Sequence, residues 1–367
     1  MAPKLQVIQK AMAATYAGDT SIPLIVYLAA TSRLLPSPVS IGVFGESSAG
    51  KSHAIKTALL FIPTEECINI VAGSAKALIY LDVDFQHKTI YFSEMDSLPD
   101  DGPAASAIRS LVSERRMAYD VVVRDEASGK YVTHRIDKPG PTGLLVSGIT
   151  PAQYQMGTRL LHLEIPESPE QSKAVMDFEA SRAAGNILIP DYECFHDMQR
   201  KLRTVQSDKD FPDVIVPFAP VLSKQLAYSS ARIKRDFSQL LTFIKTHALL
   251  FWDEREIDKK GRVIATQEDY NAVRGLLNPL YEVAASDGLT PGVRKVIQAV
   301  GCGQEVSVTV IAKRVKLSKP TVNYHLKKAY EQGYLVNLEA RLGVPARVSR
   351  LEDPPLEPQG LPPAFAV

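Results

Sequence analysis

Cysteine and tryptophan are scarce: 367 residues include three Cys and one Trp. Cys67, Cys194 and Cys302 are odd in number and far apart, which excludes a disulfide framework and a paired-cysteine zinc site. Such usage fits a reducing cytoplasm. Cys194 and His196 lie two apart with no second pair, so a buried Cys beside a partly exposed His on a helix accounts for them. The longest apolar run, around residues 22–30, is too short to cross a bilayer and follows no basic stretch, so neither secretion nor a membrane partner is expected. An excess of either charge is also missing. With 42 Lys/Arg against 41 Asp/Glu the net charge is +1, so any nucleic-acid surface must be local. Apolar content of 45% and charged content of 23% are ordinary for a globular protein, and the length suffices for two or three domains. Internal repeats are absent.

The chain does contain GESSAGKS at 45–52, of the form G-x-x-x-x-G-K-[ST]. A phosphate cradle has to follow a buried strand and open a helix, so that loop N–H groups and the positive helix end converge on the phosphates. Residues 40–44, SIGVF, read as the strand; residues 53–60, HAIKTALL, read as the helix. Gly45, Glu46, Ser47, Ser48, Ala49 and Gly50 form the loop and His53 follows it. Lys51 can reach the β- and γ-phosphates of ATP, and the Ser52 hydroxyl can ligate Mg²⁺.

Five β-rich runs (SIGVF, ECINIV, TIYFSEM, GLLVSG and LLHLEIP) alternate with helical stretches. The spacing predicts an α/β fold with a mostly parallel sheet. Composition divides the chain into a helical lead-in at 1–35, a P-loop core at 36–168, a helical region at 169–283, a small unit at 289–351 and a Pro-rich tail at 352–367, expected to be disordered. After the strand TIYF comes Ser93-Glu94-Met95-Asp96; Glu94, at a strand end beside the cradle, is placed to orient a water for hydrolysis.

These motifs together resemble an AAA+ ATPase. Within that superfamily they are similar to the minichromosome-maintenance helicases and to the helicase modules of phage and mobile-element replication proteins. The resemblance spans about residues 20–283 and makes 169–283 the helical lid. It implies an acid at 93, where this chain has Ser93; a serine there points to slower turnover unless its hydroxyl holds the metal's water. It also implies that the turn between VVVR and YVTH, around Ser128-Gly129, belongs to a pre-sensor-1 hairpin gripping DNA through Arg124 and Lys130. The residue-level alternative is a solvated surface hairpin. Ser147 or Thr150 would be the sensor of the γ-phosphate or water. Arg159 would be a finger reaching the neighbouring subunit's nucleotide, and Arg235, or alternatively Arg232, the lid arginine.

The C-terminal stretch reads independently of any family. Residues 308–315 predict a helix, Lys316-Leu317-Ser318 a turn, and residues 319–330 a second helix capped by Ser318. Strand-like runs at 334–340 and 346–352 complete a winged helix-turn-helix. Residues 290–350 hold eleven Lys/Arg against three Glu, a local +8 hidden in the neutral total. Lys319, Thr321, Asn323, Tyr324 and Lys327 are expected to face a DNA major groove, Asn323 being able to read adenine. A winged helix used for protein contacts is the alternative.

The resulting expectation is an ATP- and Mg²⁺-dependent ring, a hexamer that moves DNA, working with a separate primase or initiator. The alternative is an ATP-gated regulator or origin-remodelling switch that does not translocate.

Overall fold

The computed structural model describes residues 5–45, 49–70, 75–93, 102–124, 128–148, 159–165, 169–187, 189–207, 213–226, 233–285, 291–301, 303–331, 333–339, 341, 345–351 and 360–363. Two compact units emerge, residues 1–223 with 234–276, and residues 277–363 with 224–233.

The first unit opens with α1 (Leu5–Ala13) and α2 (Ser21–Thr31). The chain then runs through β1 (Ile41–Phe44), α3 (Lys51–Leu59), β2 (Cys67–Ile70), α4 (Ala75–Tyr80), β3 (Lys88–Phe92) and α5 (Pro103–Glu114). Next come β4 (Arg116–Arg124), β5 (Tyr131–Pro139), β6 (Thr142–Gly148) and β7 (Leu161–Glu164). The helical region, of which residues 224–233 and 277–285 belong to the second unit, holds α6 (Pro169–Ala183), α7 (Glu193–Ser207), β8 (Val214–Ile215), α8 (Ala219–Gln225), α9 (Ile233–Leu250), β9 (Val263–Ile264) and α10 (Gln267–Ala285).

β2, β3, β6, β1 and β7 lie side by side in that order, every pair parallel. The five β-rich runs of the sequence are these five strands. Both faces of a parallel sheet are covered, so its strands read as unbroken apolar runs rather than alternating ones. β1 and β6 are buried at every residue. On one face Phe44, Ile90, Phe92, Leu144 and Val146 pack with Leu78 and Ile79 of α4 and Ile108 and Leu111 of α5. The remaining faces of α2 are filled as well: every residue from Pro23 to Thr31 is buried.

A polar network ties α7 to this core. Arg33 is fully buried; its Nη1 donates to Ala30 O at 3.2 Å and Gln199 Oε1 at 2.9 Å. Gln199 Nε2 in turn donates to Tyr27 Oη and Thr31 Oγ1, both at 2.9 Å. The Glu66 carboxylate lies 3.8 Å from Arg33 Nε and also pairs with Arg203. Burial pushes the Tyr27 phenol up to about 12 and pulls the Arg33 guanidinium down. Cys194, expected inside, is exposed instead; the buried faces of its helix belong to Phe195, Met198 and Leu202. The short parallel pair β8–β9 was not foreseen, because two-residue strands leave no periodicity.

The second unit contains α11 (Pro291–Gln298), β10 (Glu305–Ser307), α12 (Val308–Val315), α13 (Lys319–Glu331), β11 (Leu335–Asn337) and β12 (Arg347–Arg350). Its sheet order is β10-β12-β11, antiparallel throughout. Val293, Val296, Ile297, Ile311, Val322, Leu326 and Val348 form its core. Of the Pro-rich stretch 352–367 only residues 360–363 are described. Within the stretch expected to be disordered, Leu361 is 2% exposed and its N–H donates to Asn278 Oδ1 at 2.8 Å. Pro362 beside it is buried as well.

Candidate functional site

β1 ends at Phe44, and the chain leaves it at Gly45. Regular structure resumes at Gly50, the N-cap of α3, with φ 91° and ψ 10°. A Cβ strains that left-handed conformation, which is the physical need for glycine there. The first-turn N–H groups of α3 have no intrahelical acceptor and gather just past the C-terminal end of β1. Lys51 folds back across the loop, its Nζ donating to Gly45 O at 2.8 Å. A phosphate oxygen is a stronger, charged acceptor than that carbonyl.

Ser52, next on α3, has its Oγ 3.5 Å from Ser147 Oγ at the end of β6. Ser147 is buried and donates to the Ser93 carbonyl at 2.5 Å, just past β3. Sheet order explains the meeting: β6 lies between β1 and β3, so Ser147 sits between the residues that follow those two strands. Of the two sensor candidates, Ser147 is therefore in contact with the cradle. Thr150 lies outside the described residues, as do Glu46, Ser47, Ser48, Glu94 and Arg232.

His53 extends the site in a direction the sequence reading missed. Its ring stacks on Tyr16 with centroids 5.5 Å apart and planes 14° from parallel, and its Nε2 lies 3.1 Å from Thr15 O. Tyr16 lines a cavity of about 630 Å³ whose other walls include Ala14, Ala17 and Gly18 after α1 and Ala174, Asp177 and Phe178 on α6. Gln171 Nε2 donates to Ala17 O at 3.1 Å and joins the two walls. Gly18 has φ +84°, and a Cβ there would meet Gln171 Oε1 at 2.4 Å. The Tyr16-Ala17-Gly18-Asp19 turn was the available signal, but it lies far before the phosphate loop in sequence.

The arginines gather elsewhere in the first unit. Arg159 Nε donates to Ser113 Oγ on α5 at 2.6 Å. Burial, then the charges of Arg235 and Arg109, pull the Arg159 guanidinium below its ordinary value. The charges of Arg235 and of Arg109, on α5 one turn before Ser113, thus act on Arg159.

β4 and β5 form a separate antiparallel hairpin, with Arg116 opposite Pro139 at its base and Arg124 opposite Tyr131 near its tip. Nine residues per strand give it a length of about 30 Å. Near the tip, Arg124 Nε donates to Gly129 O at 3.1 Å and Lys130 is exposed, while residues 125–127 of the expected polar turn lie outside the described residues.

In the second unit, Ser318 caps α13: Thr321 N donates to Ser318 Oγ at 3.4 Å. Lys319, Thr321, Asn323, Tyr324 and Lys327 are all exposed on that helix, while Val322, Leu326 and Ala329 fill the core. Lys328 Nζ lies 5.0 Å from the centroid of the Tyr324 ring. Among the described residues no group of three or more His, Cys, Asp or Glu could hold a metal ion, and no helix is long and apolar enough to cross a membrane.

No curated protein matches the chain. Solved structures similar to it include the Aeropyrum pernix ORC1 protein in complex with DNA, at 13% identity over 90% of this chain and 88% of that one, with a TM-score of 0.29. The SCCmec type IV Cch active helicase is 12% identical over 91% of this chain and 66% of that one, TM-score 0.37. Brucella abortus NtrX in complex with ATP is 12% identical over 64% and 63%, TM-score 0.30. Residues 294–336 match a winged helix-turn-helix DNA-binding model. Residues 3–206, more than half of the chain, match the MTBMA_p00010 P-loop domain, and with a glycine-capped phosphate loop on a parallel sheet the chain belongs to that family.

Proposed function

We propose that the chain is an ATP-dependent DNA motor, a helicase or translocase that works as a hexameric homo-oligomeric ring in the replication of a phage, plasmid or other mobile element. The observation that carries this reading is the contact chain from Ser52 through Ser147 to Ser93, at the C-terminal edge of β1, β6 and β3. It supplies a phosphate cradle with polar groups beside it, the arrangement phosphoryl transfer needs.

ATP phosphates occupy the 45–52 loop, Lys51 exchanges the Gly45 carbonyl for a phosphate oxygen, and the base enters the cavity beside Tyr16. The hydroxyl oxygens of Ser52 and Ser93 suit a hard cation such as Mg²⁺, which would neutralise charge on the β- and γ-phosphates. Glu94 orients the attacking water, and the Ser147 hydroxyl turns from the Ser93 carbonyl to the γ-phosphate or that water. Arg159, with Arg235 beside it, reaches the nucleotide of the adjacent subunit; clustered guanidinium groups favour a multiply charged anion. The Lys130 hairpin contacts DNA in the ring's channel, and the winged helix positions the ring, with a separate primase or initiator as partner.

Strand displacement on forked DNA tests the motor. Unwinding that requires ATP and disappears with Lys51→Ala and with Lys130→Ala supports it. DNA-stimulated hydrolysis without movement along DNA would replace it by the second reading, an ATP-gated switch or origin-remodelling regulator. Ser93 favours that alternative, because a hydroxyl where the resemblance implies an acid suits slow turnover.

A further inference from the structure

The register of the β4–β5 hairpin separates two faces. The pairs Met117/Lys138 and Tyr119/Ile136 lie on one face, where Met117 is fully buried and Tyr119 and Ile136 pack on the sheet's apolar cluster. Alternate pairs turn the other way because strand side chains have a period of two. On this second face, near the tip, stand Val122/Thr133 and Arg124/Tyr131. Tyr131 is 77% exposed and Val122 is 65% exposed. An exposed hairpin is normally protected by charge, not by an open aromatic ring. This ring sits opposite Arg124 and next in sequence to exposed Lys130.

We infer that Tyr131 is a stacking platform for an unpaired base of single-stranded DNA, with Arg124 and Lys130 on the flanking phosphates. The inference rests on the hairpin's proposed DNA contact and names the form of DNA and the residue that reads it. Cations beside an aromatic ring match a single strand, which offers phosphates and free π-faces together. A duplex keeps those π-faces stacked and presents base edges instead.

The chain's one tryptophan, Trp252, makes a local reporter possible. In the full-length Trp252→Phe/Tyr131→Trp variant, unlabelled oligo(dT) is expected to quench fluorescence saturably, with the affinity measured independently by anisotropy. Tyr131→Ala should weaken oligo(dT) binding roughly tenfold and Tyr131→Phe should retain it, since stacking needs the ring alone. Tyr131→Ala should leave the salt slope unchanged, because no phosphate contact is lost, whereas Lys130→Ala should reduce it by about 0.7, the contribution of one phosphate contact on a single strand. An indole unaffected by saturating oligo(dT) overturns the stacking. If Arg124→Ala and Lys130→Ala still weaken binding in that case, the hairpin's DNA contact stands without it. If they do not, that contact falls as well. Fluorescence that changes with protein concentration in the absence of DNA would assign the ring to a contact between copies of the chain and overturn the inference.

Discussion

Single residues in this protein are held by charge that burial has made expensive. Arg33 is fully buried, and Glu66 is its nearest counter-charge. Removing one member of a buried pair leaves the other uncompensated. Glu66→Ala should therefore cost about 3–5 kcal/mol in urea unfolding, far more than a surface carboxylate. Asp269 is the second such case. Burial by itself would raise its carboxyl, but His247, 2.6 Å away, together with Arg255 and the Thr266 N–H, holds it below its ordinary value. A depressed carboxyl contributes stability that is complete above its unfolded pKa and is lost as pH falls through the folded one. Stability should thus decline below about pH 4. Asp269→Asn should flatten that acid limb while lowering the plateau at neutral pH, as thermal melts across pH would record. A steep acid limb surviving the substitution would assign the effect to other carboxylates.

At the scale of elements, the same exposure pattern that fills the winged-helix core leaves one face of α13 open. Val322, Leu326 and Ala329 are buried, and Asn323 and Lys327 lie on the exposed side. If that face enters a major groove, Lys327→Ala should weaken binding to all duplexes alike and lower the salt slope by about one. Asn323→Ala should cost about 1–3 kcal/mol on the preferred sequence and relax its base preference. Filter binding of random and selected duplexes over a salt series distinguishes the two. Equal loss on every duplex from Asn323→Ala would remove base reading from this helix.

For the whole molecule the decisive matter is whether a nucleotide is shared between copies. Arg159 is bonded to Ser113 on α5 and gathered with Arg109 and Arg235, whereas Lys51 is bonded within its own phosphate loop. A finger acting on a neighbour predicts complementation. Mixing Arg159→Ala with Lys51→Ala subunits should restore part of the ATPase that each lacks alone. Demonstrated co-assembly without any recovery would place the arginine's action within one subunit.

Much of this protein was legible from local pattern, because local pattern is what dictates it. A parallel strand buried on both faces has to be an apolar run, so SIGVF and GLLVSG declared β1 and β6. The left-handed turn at Gly50 and the helix start at Lys51 are written in GESSAGKS, and Ser318 announced the start of α13. What sequence could not express is adjacency between distant segments. Only the β2-β3-β6-β1-β7 order sets Ser147 between Ser52 and Ser93. Only packing lays Tyr16 on His53, gathers Arg109 and Arg235 around Arg159, and buries Leu361 in a tail whose composition argued for disorder. Periodicity and turn chemistry act over a few residues and so survive in the linear chain, whereas strand order and side-chain contact exist once the chain has closed on itself.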